Sequence, residues 1–144
     1  MLQELVRRVV RWARRKSPWV LHFNSGGCNG CDIEILDLLT PRYDVERLGI
    51  LKEASPRHAD ILLCTGPVTY QSRARLRRIY AQMPYPKWVV AVGSCSCSGG
   101  VFQGGSSVLG GIDHVLPVDL YIPGCPCRPE AMIDGLARLL ERVE

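Results

Sequence analysis

The sequence predicts a single α/β domain with a doubly wound parallel sheet and helices on both faces, in three layers. Short apolar runs of strand length alternate with helical patterns along most of the chain, an order typical of parallel sheets. Turn residues close these runs, so each predicted strand has a defined end. The chain has 144 residues, enough to bury one sizeable core but too few for two.

The N-terminal segment has the pattern of an amphipathic helix over residues 2–15. Its apolar residues recur at helical spacing, and its arginines lie mostly on the other faces. Residues 1–16 contain six basic residues and one acid, a net charge of +5. We assign residues 1–17 to this basic helix and residues 18–144 to the main domain. The helix is expected to pack on its own domain or, as an equal alternative, to dock on a partner or an anionic membrane surface.

Strands are expected where short apolar runs are bounded by turn residues. The first run follows Pro18 and precedes a glycine-rich turn, and the third ends at Gly66. Residues 104–111 are rich in glycine and serine and are expected to be irregular. The predicted strands are residues 19–23, 43–51, 60–65, 88–92 and 118–122.

Helices are expected between and after these strands, each with a proline near one end. Pro41 stops the first, Pro84 follows the second, and Pro129 begins the third. The predicted helices are residues 33–40, 72–82 and 129–143. One side of the first helix is expected to be apolar and to contain Ile33, Leu36 and either Leu38 or Leu39.

Charge and hydropathy limit the possible function. Residues 17–144 contain 12 basic and 13 acidic residues, and the basic ones do not alternate with aromatics, so a nucleic-acid partner is not expected. No apolar stretch approaches the roughly 20 residues that span a bilayer. Arginines run through the N-terminal apolar positions, unlike a secretory signal. The protein is therefore expected to be cytoplasmic, and soluble or peripheral to a membrane.

Seven cysteines are concentrated in loops rich in glycine and proline, which in a cytosolic chain indicates metal or redox chemistry. Cys28 and Cys31 lie in a glycine-rich turn that leads into a helix, so both sulfurs can face one metal centre. Cys95 and Cys125 follow later strands, and the carboxyl ends of parallel strands meet at one edge of the sheet. Cys64 ends an apolar run and is expected in the core.

Four thiolates can hold a zinc ion or an iron-sulfur cluster. Structural zinc sites usually consist of two tight pairs, whereas this chain has one pair followed by two distant single loops. The many glycine amides in these loops, and the proline after Cys125, suit a cluster whose sulfurs accept hydrogen bonds. A 4Fe-4S cluster is therefore favoured, and the rival from another class is a zinc-stapled interaction module.

Several ordered motifs closely resemble the small subunit of membrane-bound, energy-converting nickel-iron hydrogenases. The resemblance covers about residues 18–140, and the same superfamily contains the cluster-bearing subunit of respiratory complex I. The motifs are CNGCDIE at residues 28–34, TPRYDVER at residues 40–47, ADILLCTGPVT at residues 59–69, the Gly-Ser-Cys loop at residues 93–95 and PVDLYIPGCP at residues 117–126.

The resemblance implies a flavodoxin-like domain that holds one proximal 4Fe-4S cluster through Cys28, Cys31, Cys95 and Cys125. The cluster would lie beside the nickel-iron site of a separate large subunit, so the chain itself would be a non-catalytic electron-transfer subunit. The other implied partners are a ferredoxin-like two-cluster subunit, ferredoxin as the indirect electron donor, and membrane ion-pumping subunits. This assembly would place the chain on the cytoplasmic side of the cell membrane, as a peripheral subunit.

Two further interpretations stay open within the resemblance. Complex I relatives typically have two adjacent cysteines in the first motif, where this chain has CNGC, so the hydrogenase branch is favoured over quinone chemistry. The alternative is the equivalent subunit of a related sulfane-sulfur or quinone reductase. The family's usual pattern lacks Cys97 and Cys127, so either could replace Cys95 or Cys125 as a ligand. As a further hypothesis, these two thiols form a disulfide or engage a sulfur substrate.

Acids and histidines offer further candidate site residues. Asp32 and Glu34, just after the first cysteine pair, are candidate acids that support the cluster ligands or relay protons. An ordinary acid in the first turn of a helix is the favoured alternative for Asp32 and an even alternative for Glu34. None of the three histidines, His22, His58 and His114, is expected to be a metal ligand, and the first two are expected to be structural.

Overall fold

The computed structural model describes residues 1–142, and it confirms an α/β fold with a five-stranded parallel sheet flanked by helices. The strand order is β2-β1-β3-β5-β7, which is the order of flavodoxin-like sheets once a separate β4-β6 pair is set aside. The strands are β1 Trp19–Asn24, β2 Leu51–Lys52, β3 Ile61–Thr65, β4 Val68–Thr69, β5 Trp88–Val92, β6 Val108–Gly110 and β7 Leu120–Ile122. The helices are α1 Leu2–Lys16, α2 Gly30–Asp37, α3 Tyr70–Gln82, α4 Ser94–Ser98 and α5 Pro129–Arg142.

Strand β3 is the centre of the fold, and every residue in it is buried. Successive side chains of a strand point to opposite faces, so β3 contributes to two separate apolar clusters. Ile61 and Leu63 pack in the cluster covered by α2 and α5. Leu62 and Cys64 pack in the cluster covered by α3. The prediction of Cys64 as a core residue is confirmed, because its side chain is completely buried.

The predicted strand at residues 43–51 is wrong. Most of this stretch is irregular or forms a 3-10 helix at Val45–Leu48, and only β2 at its end joins the sheet. Asp44 and Gly49, on either side of the 3-10 helix, have left-handed backbone angles, with φ of 43° and 80°. An extended strand cannot pass through two such residues. Val45 and Ile50 are nevertheless buried in the core. The apolar pattern of this stretch therefore indicates contact with the core, although the stretch does not form a strand.

Helix α2 differs from its prediction in position. It begins at Gly30 and ends at Asp37, earlier than the predicted residues 33–40. Its core side contains Ile35, with Leu38 just beyond its end, whereas Ile33 is 60% exposed and Leu36 is 52% exposed. The apolar side that contains Ile33 and Leu36 therefore faces away from the core.

Two smaller differences concern later segments. The stretch 104–111, expected to be irregular, contains β6, which pairs antiparallel with β4 beside the main sheet. The last helix was predicted over residues 129–143; α5 extends to Arg142, and Val143 lies outside the described residues.

The basic N-terminal helix is confirmed as α1, and none of its side chains is buried. Its attachment is at the amino edge of the sheet, where the Arg14 guanidinium lies 3.0 Å from the Asp60 carboxylate just before β3. Arg14 also donates to the Pro86 carbonyl oxygen before β5, at 2.7 Å. Within residues 1–142, no helix combines the length and the hydropathy needed to cross a bilayer.

Candidate metal centre

Three loops meet at the carboxyl edge of the sheet, and they carry the four predicted ligands. Cys28 and Cys31 lie between β1 and the first turn of α2, while Cys95 lies in α4, directly after β5. Cys125 follows β7. Cys28 and Cys125 are exposed, and Cys31 and Cys95 are partly buried. We call these the first, second and third cysteine loops, at residues 25–31, 93–100 and 123–128.

Backbone hydrogen bonds join the second and third loops. The Gly93 N–H donates to the Ile122 carbonyl oxygen at 2.7 Å, and the Ser94 N–H donates to the Gly124 carbonyl oxygen at 2.9 Å. The Ser94 hydroxyl also lies 3.3 Å from both the N–H and the carbonyl oxygen of Gly124. These bonds hold Cys95 and Cys125, which follow them directly, on neighbouring backbone segments.

Two glycines allow the first loop to approach the other strand ends. Gly93 has φ of 90°, and a Cβ atom there would lie 2.5 Å from the Cys31 sulfur. Gly66, just after β3, has φ of 75°, and a Cβ atom there would lie 2.2 Å from the Gly27 nitrogen. Both positions need a residue without a side chain, because real Cβ atoms do not come this close. The Cys31 sulfur therefore packs directly against the backbone of the second loop.

Burial and the charges of neighbouring groups raise the pKa of two of the four thiols. Burial raises the pKa of Cys31, and the charges of Asp32, Cys28 and Cys125 add to the rise. Burial likewise raises the pKa of Cys95, with contributions from Cys125, Cys28 and Cys31. Each thiolate is thus made costly by the others, and a bound cationic iron centre would offset that repulsion.

The chemistry of this donor set fits an iron-sulfur centre. It offers four thiols from three loops that are rich in glycine, with the backbone of Gly93 close to the Cys31 sulfur. Within residues 1–142, no three His, Cys, Asp or Glu side chains are grouped so as to hold a single metal ion.

Cys97 and Cys127, the alternative ligands, each pack against one of the two cores, and both also lie near the Cys31 thiol, whose charge adds to the rise in their pKa. Cys127 is completely buried in the cluster under α2 and α5, and burial raises its pKa to about 12. Cys97 packs against the cluster under α3, with its sulfur 3.7 Å from the Ala91 carbonyl oxygen. All seven cysteines are free thiols in the structure. A disulfide between Cys97 and Cys127 stays a hypothesis.

Glu34 lies one turn into α2 and is partly buried. Its charge contributes to the raised pKa of Cys127, so the carboxylate is close to the third cysteine loop. Its role in proton transfer stays a prediction.

A network of polar side chains behind the first cysteine loop was not predicted from the sequence. Asp32, interpreted as an ordinary helix acid, is only 7% exposed. Its carboxylate accepts hydrogen bonds from the Thr65 hydroxyl and the Asn24 amide. One of its oxygens also lies 2.7 Å from His22 Nε2. We call His22, Asn24, Asp32 and Thr65 the Asp32 network.

Asn24 connects this network to the loop itself. While its amide nitrogen donates to Asp32, its amide oxygen accepts from the Gly26 N–H at 2.8 Å and the Gly27 N–H at 2.7 Å. The Asn24 side chain therefore binds both the backbone just before Cys28 and the carboxylate of Asp32, which directly follows Cys31. A signal was present in the sequence: His22 and Asn24 are polar residues two apart at the end of an apolar run, so they share one face of β1.

The expectation that His22 and His58 are structural agrees with their contacts. His22 belongs to the Asp32 network, and His58 stacks at an angle near Trp19, with 6.3 Å between ring centroids. His114 lies 3.2 Å from the carboxylate of its neighbour Asp113 at the surface.

Comparison with known proteins identifies relatives over most of the chain. Residues 28–139 match the family described as the 20 kDa subunit of NADH-ubiquinone oxidoreductase. Over 128 residues the chain is 54% identical to a probable membrane-bound hydrogenase subunit, mbhJ, of Pyrococcus furiosus, covering 89% of this chain and 77% of that protein. It is 47% identical to an NADH-quinone oxidoreductase subunit of Citrifermentans bemidjiense, covering 94% of this chain and 77% of that protein.

Solved structures give the same grouping. A chain of the membrane-bound sulfane sulfur reductase, an archaeal respiratory membrane complex, superposes with a TM-score of 0.83 at 42% identity, covering 94% of this chain and 75% of that one. A [NiFeSe] hydrogenase chain from Desulfovibrio vulgaris Hildenborough has a TM-score of 0.58 at 18% identity, covering 83% of this chain and 58% of that one; at this identity it supports the fold alone.

These relatives are subunits of oxidoreductase complexes, and membership of their family implies an iron-sulfur cluster. The chain belongs to the family of the 20 kDa subunit of NADH-ubiquinone oxidoreductase, which is shared by membrane-bound hydrogenases and complex I.

Proposed function

We propose that this chain is the electron-transfer small subunit of a membrane-bound, energy-converting nickel-iron hydrogenase, and that it holds one 4Fe-4S cluster through Cys28, Cys31, Cys95 and Cys125. The observation that carries the proposal is the meeting of these four thiols at one sheet edge in a chain of this family. When bound, the cluster supplies one-electron redox chemistry.

The chain's own residues would orient the ligands and limit water at the site. The Asp32 network fixes both sides of the first cysteine loop, and the bonds from Ser94 to Gly124 fix the other two loops to each other. Cys31 is partly buried against Gly93, so its sulfur is shielded on one side by backbone. Such preorganised ligands and backbone dipoles are the means by which a protein tunes a cluster's potential.

The exposed side of α2 suits contact with the large subunit that would carry the nickel-iron site. Ile33 and Leu36 are apolar, more than half exposed, and closely follow Cys31 in the chain. Apolar residues exposed beside a redox site mark a surface that a partner covers. Electrons would arrive through a ferredoxin-like two-cluster subunit, with ferredoxin as the indirect donor and membrane ion-pumping subunits in the same complex. The chain would lie peripherally on the cytoplasmic side of the membrane.

A second candidate keeps the cluster and changes the partner reaction. The likeness to a chain of the membrane-bound sulfane sulfur reductase, at a TM-score of 0.83, supports the equivalent subunit of a sulfane-sulfur or quinone reductase. The identity of 54% with a probable hydrogenase subunit, and the CNGC spacing of the first motif, favour the hydrogenase.

Metal analysis and electron paramagnetic resonance of the anaerobically purified complex, reduced with dithionite, test this assignment. Nickel together with a reduced 4Fe-4S signal that is lost in Cys31→Ala is the expected result. Iron without nickel would move the function to the sulfane-sulfur or quinone branch. Stoichiometric zinc in a colourless protein would contradict the cluster assignment and support a zinc-stapled interaction module.

A further inference from the structure

The apolar side of α1 is a continuous surface that the rest of the described chain leaves uncovered. None of the helix's side chains is buried. Five of its large apolar side chains are 52–75% exposed: Leu2, Leu5, Val6, Val9 and Trp12. At about 100° per residue they span roughly 120° of the helix circumference. Single exposed apolar residues are ordinary, whereas a contiguous stripe of five on one helix marks an interaction surface.

The opposite side of the same helix is strongly basic. Five arginines occupy a second sector of roughly 120°, separate from the apolar one. They are Arg7, Arg8, Arg11, Arg14 and Arg15. Lys16, the last residue of the helix, falls on the apolar side, where its long side chain can still reach water. A helix with one apolar face, an arginine-rich polar face and a tryptophan is typical of helices that lie in the interface of a bilayer.

We infer that α1 lies in the surface of an anionic phospholipid membrane, with Val9 and its apolar neighbours in the lipid and Arg7, Arg8 and Arg11 at the headgroups, while Arg14 stays bonded to the domain. The charge argues for lipid over a membrane protein. Cytoplasmic loops of membrane proteins carry an excess of lysine and arginine, which would repel a helix of net charge +5, whereas anionic headgroups attract it.

The position of α1 in the fold is compatible with this contact. Arg14 joins the helix to Asp60 and Pro86 at the amino edge of the sheet, and the cysteine loops lie at the carboxyl edge. Lipid contact through α1 therefore leaves the cysteine loops open to protein partners. The inference goes beyond the electron-transfer assignment and rests on the proposed function only for the cytoplasmic side of the membrane.

Co-sedimentation of the full-length chain with vesicles tests lipid binding. We expect binding to phosphatidylcholine vesicles that contain phosphatidylglycerol, and little binding to phosphatidylcholine alone. Val9→Glu is expected to weaken binding at least about tenfold, because it places a charge on the lipid side. Arg11→Gln is expected to weaken it about fivefold, with the difference disappearing in high salt.

Val101→Glu is the matched control, since it puts the same charge on a valine that is 85% exposed near the second cysteine loop. It is expected to bind vesicles as the wild type does. Circular dichroism of each variant checks that the helix content is retained. Absence of binding to the anionic vesicles, or equal binding by Val9→Glu and the wild type, would overturn the inference. Neither readout depends on metal content, so the result is independent of the cluster assignment.

Tryptophan quenching in the assembled complex separates lipid from protein as the cover of α1. Brominated phospholipids are expected to quench the fluorescence of Trp12, and the Trp12→Phe complex supplies the background of all other tryptophans in the complex, including Trp19 and Trp88. A signal from Trp12 that brominated lipids leave unchanged would mean that a protein subunit covers the helix, and the inference would then be wrong.

Discussion

At the carboxyl edge of the sheet, the first cysteine loop is fixed by a buried carboxylate and its three partners, while at the amino edge α1 is joined to the domain through Arg14. The first edge buries the carboxylate that holds its loop, with Asp32 only 7% exposed, although Cys28 and Cys125 are exposed there. The second edge leaves apolar residues open, with Trp12 63% exposed. The cluster ligands must be held in place, and the hydrogen bonds at the carboxyl edge do this. A surface that joins a larger assembly must stay accessible, as the apolar side of α1 at the amino edge does. Substitutions at either edge test how far this contrast extends.

The largest effect is expected from replacing ligands, and neighbouring cysteines supply matched controls. Cys95→Ala and Cys125→Ala are expected to abolish the reduced 4Fe-4S signal. Cys97→Ala and Cys127→Ala, each two residues further along, are expected to keep it, because these two cysteines pack against the two cores. Iron content and electron paramagnetic resonance of each variant show which cysteines are ligands. Loss of the signal in Cys97→Ala alone would make Cys97 the ligand.

A methyl group on the backbone beside Cys31 is expected to remove most of the iron. Gly93→Ala places a Cβ atom 2.5 Å from the Cys31 sulfur at a residue with φ of 90°. Gly104→Ala is the control, because its φ is 83° but nothing lies within 4 Å of the new atom. Both variants carry a backbone strain of about 1–2 kcal/mol. Equal iron content in the two would show that the close approach at Gly93 does not shape the site.

Removing the central carboxylate of the Asp32 network is expected to destabilise the fold. Asp32→Ala leaves the buried Thr65 hydroxyl without its acceptor and removes the acceptor of the exposed Asn24 amide, at a cost of about 2 kcal/mol in the free energy of unfolding. Asp134→Ala breaks only an exposed pair with Arg138 and should cost less than about 0.5 kcal/mol. Urea denaturation measures the free energy of unfolding of both variants. Similar losses would mean that the Asp32 network stabilises the fold no more than an exposed ion pair does.

The smallest effect is expected at the amino edge, and it depends on pH. Burial raises the pKa of Asp60, so the fold penalises its ionised form, and Arg14 offsets part of that penalty. Arg14→Ala is expected to cost about 1–2 kcal/mol above the folded pKa of Asp60. The loss shrinks as the pH falls through that pKa, because the carboxyl then takes up a proton. Urea denaturation over a pH series checks this, and a pH-independent loss would contradict it.

Much of the site was predictable because its signals are local. The four cysteines lie in loops that each follow an apolar run, and parallel strands bring such loops to one edge, so their convergence required only the fold class. The motif order then identified the family, which the comparisons confirm. The Asp32 network was not predictable in the same way. The members of this network come from β1, α2 and β3, and burial of Asp32 depends on how closely these three elements pack.

The alternation of strands and helices, the cysteine loops and the two-sided character of α1 all follow from residue type at fixed spacing, which local physical chemistry controls. Tertiary contacts were needed to settle that residues 43–51 form mainly a turn, that α2 turns Ile35 and not Ile33 to the core, and that α1 keeps its apolar side exposed. These outcomes depend on contacts between residues far apart in the chain, as when Gly49 packs against the Lys16 carbonyl group. Such contacts leave no periodic signal in the sequence, because the residues that flank one contacting residue do not indicate which distant residue it meets.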